Sequence, residues 1–148
     1  FPYRKGQKKL VADVYRSILR EKILFIQAPT GVGKTMSTIF PAVRAVGEGK
    51  GETIFYLTAK TITRTVAQEA FEVLREKGMK YKVVTITAKE KLCFMDETKC
   101  DPVHCPYARG HFDRVNDAVY ELWTTKSRYD RETIREQAEK WQVCPFEM

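Results

Sequence analysis

The first 92 residues of this 148-residue chain contain no cysteine. All four, Cys93, Cys100, Cys105 and Cys144, come later, and no two form the C-x2-C pair that zinc knuckles use. No stretch approaches the roughly 20 apolar residues needed to span a bilayer, and no charged-then-apolar leader precedes the first element. These absences remove a membrane from the expected partners. They point to a soluble protein that is not secreted, located in the cytoplasm of a bacterial or archaeal cell or in a eukaryotic nucleus. Internal repeats and low-complexity tracts are also missing. The opening residue, Phe1, is not a methionine, and residues 144–148 form no obvious terminal element, so the chain reads as a piece of a longer protein.

What is present begins with charge. The net +7 is uneven: residues 1–92 carry 18 Lys/Arg against 8 Asp/Glu, whereas residues 93–148 carry 8 against 11. A positive field of this kind suits a polyanion, because Lys and Arg release counterions from phosphates, although a solvated basic face fits as well. The basic part also holds Ala28-Pro29-Thr30-Gly31-Val32-Gly33-Lys34-Thr35. After the apolar run 23–26 and before a helical segment, this is a phosphate-binding loop. Its glycines expose successive backbone N–H groups at a helix N-terminus, which cradle a polyphosphate. Lys34 is placed to reach the outer phosphates of ATP and Thr35 to present its hydroxyl to Mg²⁺. Ala28 stands where the strict pattern has glycine, a variant typical of helicases.

Hydrophobic periodicity supplies the frame. Leu10, Val11, Val14, Tyr15, Ile18 and Leu19 predict a helix after the aromatic and basic opening segment 1–7. Residues 23–26, 53–57 and 81–87 predict strands. Helices are expected at 35–46, with Pro41 kinking or breaking it, and after residues 58–61, with Val66, Ala70, Val73 and Leu74 on its apolar face and a stop at Gly78. Strand–helix alternation argues for an α/β fold with a parallel sheet covered by helices. From Ala88 onward β-branched runs give way to cysteines, charges and turns. Phe112, Val115, Val119 and Leu122 form one helical stripe, and Asp130 caps a second helix containing Ile134, Ala138 and Trp141, with Tyr129 placed to pack on Ile134. Trp123 and Trp141 read as packing residues before they read as a base-stacking platform.

The cysteine spacing is C-x6-C-x4-C-x38-C. Reduced thiols beside an intracellular phosphate loop argue against disulfides and for a metal site. Open spacing with four thiolates suits a 4Fe-4S cluster, with zinc as the alternative occupant and four unrelated buried thiols as the bland one. His104 and His111 read first as solvated side chains. By position alone Gln7 also reads as a solvated glutamine.

Taken together these features resemble the iron–sulfur-containing superfamily 2 DNA helicases, the XPD/DinG family, over essentially the whole chain. Arg4-Lys5-Gly6-Gln7 looks like the family's R-x-x-Q element, which implies that Arg4 and Gln7 serve ATP binding, with Gln7 on the adenine. Residues 28–35 match helicase motif I, and 56–61 look like motif Ia, which implies that Lys60 and Thr61 touch single-stranded DNA. Lys89, four positions before the first cysteine, occupies a place associated with DNA. The resemblance implies that Cys93, Cys100, Cys105 and Cys144 hold the cluster.

The expected organisation is therefore a partial RecA-like motor domain over 1–92, a small, mainly helical cluster domain over 93–144, and a return to the motor at 145–148. The implied activity is ATP-driven 5′-to-3′ movement on single-stranded DNA and at DNA junctions, of a repair or replication type, with the cluster domain helping to part strands. No D-E-x-H string is present. The chain itself is expected to bind nucleotide weakly, to unwind nothing and to expose sheet edges. Two other readings share these residues. One is a zinc-stabilised nucleic-acid-binding module with a vestigial or nucleotide-sensing phosphate loop. The other is a small-molecule kinase with a metal-bound lid, which leaves Arg4 and Gln7 without a role.

Overall fold

The computed structural model describes residues 2–148. Phe1, the first residue of the expected opening segment, therefore lies outside the described residues. The chain packs as two units, the first ending at Met79 and the second running from Lys80 to Met148.

Three helices build the first unit: α1 (Gln7–Leu19), α2 (Lys34–Gly47) and α3 (Thr61–Glu76). Ile39 on α2 is fully buried against Ala67 and Ala70 of α3, with Met36, Val43, Phe71 and Leu74 around them. Alanine at both α3 positions lets the two backbones approach, so Ile39 fills the space between them. Of the two outcomes expected at Pro41, a kink or a break, the break does not occur. Its ring removes one i to i−4 hydrogen bond, yet the helix runs unbroken through it, and Pro41 is itself buried.

The expected strands at 23–26 and 53–57 carry no regular secondary structure and join no ladder among the described residues. A strand of a parallel sheet needs both faces covered and both edges paired. Here Phe25 is 92% exposed and Leu57 90%, so apolar side chains that would specify a buried strand find nothing to pack on. Of the third expected strand, only β1 (Val83–Val84) is paired. Its partner is β2 (Arg128–Tyr129), in parallel register Val83 to Arg128 and Val84 to Tyr129. Helices with a short parallel pairing fit a partial RecA-like α/β domain.

The second unit adds α4 (Lys89–Leu92), α5 (His111–Thr125) and α6 (Arg131–Trp141). Asp130 caps α6 as expected. Its Oδ1 accepts from the N–H groups of Glu132 and Thr133 at 3.1 and 3.0 Å, and the Thr133 hydroxyl accepts from the Asp130 N–H at 2.9 Å. The buried face of α5 is His111, Ala118 and Leu122; of the expected stripe, Leu122 is buried and Val115 packs on the core, whereas Phe112 is 85% exposed. Ala118 and Ala138 meet with no exposure, and Val143, Val115, Phe94 and Trp141 complete that core. Tyr129 stacks on Trp123 with centroids 5.9 Å apart, while the Lys82 ammonium lies 3.8 Å over the Trp123 ring. Among the described residues, no helix is long and apolar enough to cross a membrane.

Candidate functional site

The phosphate loop leads directly into α2. Gly31 and Gly33 have φ of +84° and +79°, left-handed values that only glycine takes without strain, and Gly33 is the residue before the first turn of the helix. The α2 backbone N–H groups thus open toward the loop, with the positive end of the helix dipole behind them. Thr35 is half-buried in that first turn. The exposed Lys34 folds back, its Nζ donating to the carbonyls of Ala28 at 3.0 Å and Pro29 at 2.9 Å. An incoming phosphate has to draw the ammonium off both.

The R-x-x-Q pair closes on the same loop. Arg4 Nη1 donates to the Gly31 carbonyl at 2.6 Å, and the Arg4 N–H donates to Gln7 Oε1 at 3.0 Å. Gln7 Nε2 lies so near Gly33 that a Cβ there would stand 2.8 Å from it. Gln7 is thus half-buried against the loop. The structure brings together Arg4, Gln7 and residues 28–35, with Thr30 and Val32 completing the turn. A cleft of about 620 Å³ adjoins this loop, lined by Lys5, Lys9, Leu10, Phe25, Pro29 and Val32 among others. Lys60 and Thr61 are both exposed at the N-terminal end of α3, where backbone N–H groups also favour an anion.

The second unit holds all four thiols, and none is in a disulfide. Cys105 is buried, Cys93 and Cys144 are half-buried and Cys100 is exposed. Lys89 is near Cys100: hydrogen bonding toward that thiol and the charge there raise its pKa above the ordinary lysine value against an opposing desolvation, with Glu147 and Cys144 adding smaller effects. The same ammonium lies 5.2 Å from the Phe146 ring. His104 is solvated as expected, with Nδ1 2.8 Å from Asp101 Oδ1. His111 is not: it is buried, and its Nδ1 accepts the Cys144 N–H at 3.1 Å. That hydrogen bond fixes Nδ1 as an acceptor and withdraws it from ligation.

Among the described residues, no three His, Cys, Asp or Glu side chains are gathered as a metal-holding group. The chemistry of the donor set nonetheless fits a thiolate centre. Four unpaired thiols lie in one unit, Lys89 is near Cys100, and thiolate is the soft donor that iron–sulfur clusters and zinc both take.

A sequence profile described as DEAD/DEAH box helicase matches residues 4–109. The chain belongs to the DEAD/DEAH box helicase family. That range takes in the Arg4–Gln7 pair, the phosphate loop, Lys60, Thr61 and the first three cysteines, so the loop geometry described above lies wholly within the helicase match. A probable ATP-dependent helicase of the archaeon Methanocaldococcus jannaschii is 29% identical over 122 residues, 78% of this chain and 18% of that protein. The chain thus spans about a fifth of the length of this helicase relative. No solved structure matches.

Within this helicase chain, two residues that the sequence reading passed over, Arg114 and Arg135, grip backbone carbonyls next to the cysteines. Periodicity and motif spacing carry no signal for them. A guanidinium that serves backbone oxygens has no sequence partner to pair with.

Proposed function

We propose that this chain is the nucleotide-gripping part of an ATP-dependent DNA helicase of the iron–sulfur XPD/DinG type. The observation that carries the reading is the closure of Arg4 and Gln7 on the phosphate loop, Arg4 on the Gly31 carbonyl and Gln7 across Gly33, in a chain of helicase family. The α2 N-terminus and the Gly31–Gly33 backbone hold the phosphates, and Lys34 leaves Ala28 and Pro29 for the outer phosphate. Thr35 faces Mg²⁺, and the Gln7 amide reads the adenine edge, since it both donates and accepts. Because Gln7 also touches Gly33, base recognition and loop shape are mechanically linked. Lys60 and Thr61 grip the backbone of single-stranded DNA, and the parent enzyme moves 5′ to 3′ in repair or replication. The uncovered segments 23–26 and 53–57 suit a motor sheet whose remaining strands lie elsewhere in such a parent.

Cys93, Cys100, Cys105 and Cys144 supply the ligands for a 4Fe-4S cluster in a small domain over 93–144 that helps part DNA strands. Such a cluster would act as a structural fastening. Lys89, near Cys100, offsets charge on that thiolate as well as facing DNA. Quantifying iron, acid-labile sulfide and zinc in anaerobically purified protein tests this reading. Iron and sulfide in equal amounts uphold it; stoichiometric zinc without sulfide overturns it in favour of the zinc-stabilised module.

A further inference from the structure

The α5–α6 pair forms the packed centre of the second unit. Ala118 and Ala138 are fully buried between the helices, and Glu121 on α5 binds Gln137 Nε2 at 2.9 Å and Trp141 Nε1 at 2.6 Å on α6. From this body two guanidinium groups reach the segments that carry cysteines. Arg135 on α6 donates through Nη1 to the carbonyls of Leu92 at 2.7 Å and Cys93 at 2.9 Å. Those carbonyls end α4, where no further helical N–H is available to them. The same guanidinium lies 4.3 Å from the Phe94 ring centroid, and Phe94 in turn packs on Tyr107 at 4.5 Å, two residues after Cys105.

Arg114 on α5 does the equivalent for the other side. Its Nε donates to the Trp141 carbonyl at 2.9 Å, and its Nη2 to the carbonyls of Gln142 at 2.6 Å and Arg109 at 2.8 Å. Trp141 and Gln142 lead into Cys144, whose N–H is held by His111 of the same helix. Arg109 closes the turn that starts at Cys105, since its N–H donates to the Cys105 carbonyl at 3.2 Å. Three of the four cysteine segments are therefore tied by hydrogen bonds to one packed pair of helices.

We infer that Arg114 and Arg135 are positioning residues for the thiol centre, a cross-brace that sets where Cys93, Cys105 and Cys144 stand before any metal arrives. The inference rests on the thiolate-centre reading proposed above. Arg114 uses two nitrogens of its planar fork, Nε and Nη2, to serve three carbonyls, and Arg135 holds two carbonyls through Nη1 while its guanidinium lies over the Phe94 ring; a lysine ammonium can reach two carbonyls but reproduces neither the fork nor the stacked plane.

The test uses the whole chain and the variants Arg135→Met, Arg114→Met, Arg135→Lys and Arg114→Lys, each first shown by circular dichroism to keep its helices. Isotope-coded alkylation of the metal-free protein, read cysteine by cysteine by mass spectrometry, is the first arm. Losing a charge-assisted hydrogen bond should speed labelling of the released segment roughly tenfold. Arg135→Met should act on Cys93 and spare Cys144, and Arg114→Met should do the reverse, with lysine restoring only part. If a methionine variant fails to fold, its lysine variant decides the same contrast. Uniform acceleration at all four cysteines, as general loosening would give, or no acceleration, overturns the brace. The second arm is chelator-driven release of bound iron, expected to be about tenfold faster in both methionine variants; wild-type release rates there contradict the brace even where the cluster is present. Selective labelling in a wild-type protein that takes up neither iron nor zinc upholds the brace and sinks the metal reading.

Discussion

The Gln7 side-chain amide crosses Gly33 so closely that the α-hydrogen of glycine is all the space admits: a Cβ would lie 2.8 Å from Nε2. Gly33 also has φ of +79°, so Gly33→Ala meets two obstacles. The backbone strain alone costs about 1–2 kcal/mol, and the clash pushes Gln7 off the loop. The substitution should lower the denaturation midpoint and abolish nucleotide binding. Adding Gln7→Ala should relieve the clash but not the strain, recovering part of the midpoint. Urea titration of both variants checks this, and an unchanged midpoint in Gly33→Ala would contradict the packing described.

Cys100 is the exposed thiol of the four, and its proximity raises the pKa of Lys89. Cys100→Ser should remove the cluster and DNA unwinding from the full-length enzyme while leaving nucleotide binding in place, because the phosphate loop belongs to the other unit. Visible absorption and a strand-separation assay are the measurements. Full unwinding by Cys100→Ser would refute the strand-parting role.

Glu121 gives the α5–α6 pair an acid dependence. Lys140, then Trp141 and Gln137, hold its pKa down at about 2 from an ordinary 4.5. A folded pKa below the unfolded one means the carboxylate stabilises the fold above about pH 4.5, and that this contribution fades as pH falls toward 2. Glu121→Gln should therefore be less stable than wild type near neutrality and converge with it in acid. Midpoints that stay equally separated from pH 6 to pH 2 would show that the linkage is absent.

Asp130 closes a reciprocal cap with Thr133. Burial opposes its charged form, but the Thr133 N–H and hydroxyl and the Arg128 guanidinium outweigh burial and keep its pKa below the ordinary carboxylate value. Asp130→Ala should destabilise the second unit by about 1 kcal/mol, with Asp130→Asn losing less. Thermal unfolding of both variants, followed at 222 nm, measures the difference.

Local chemistry separates what the sequence discloses from what it conceals. The phosphate loop is legible because its backbone demands glycine at positions 31 and 33, and the α6 start because Asp130 and Thr133 satisfy each other across three residues. Gln7 becomes informative only through the R-x-x-Q pattern, and its contact with Gly33 is a tertiary fact. The ladder is illegible: apolar runs at 23–26 and 53–57 read as strands, yet pairing depends on neighbours that periodicity cannot supply, and Val83–Val84 instead meets Arg128–Tyr129. The α5 stripe misleads in part because Ala118, small and unremarkable in sequence, sits at the centre of the buried face while Phe112 stands in solvent. Arg114 and Arg135 escape because their partners are carbonyls, which every residue carries.

The central claim is that residues 28–35, with Arg4 and Gln7, grip a nucleoside triphosphate through Lys34. Equilibrium titration of a fluorescent ATP analogue with Mg²⁺ into the wild-type chain and into Lys34→Ala tests it most directly. The account predicts weak, saturable, Mg²⁺-dependent binding to wild type that disappears in Lys34→Ala while the circular dichroism stays the same. Equal binding by the two proteins, or none by a folded wild-type chain, would contradict it.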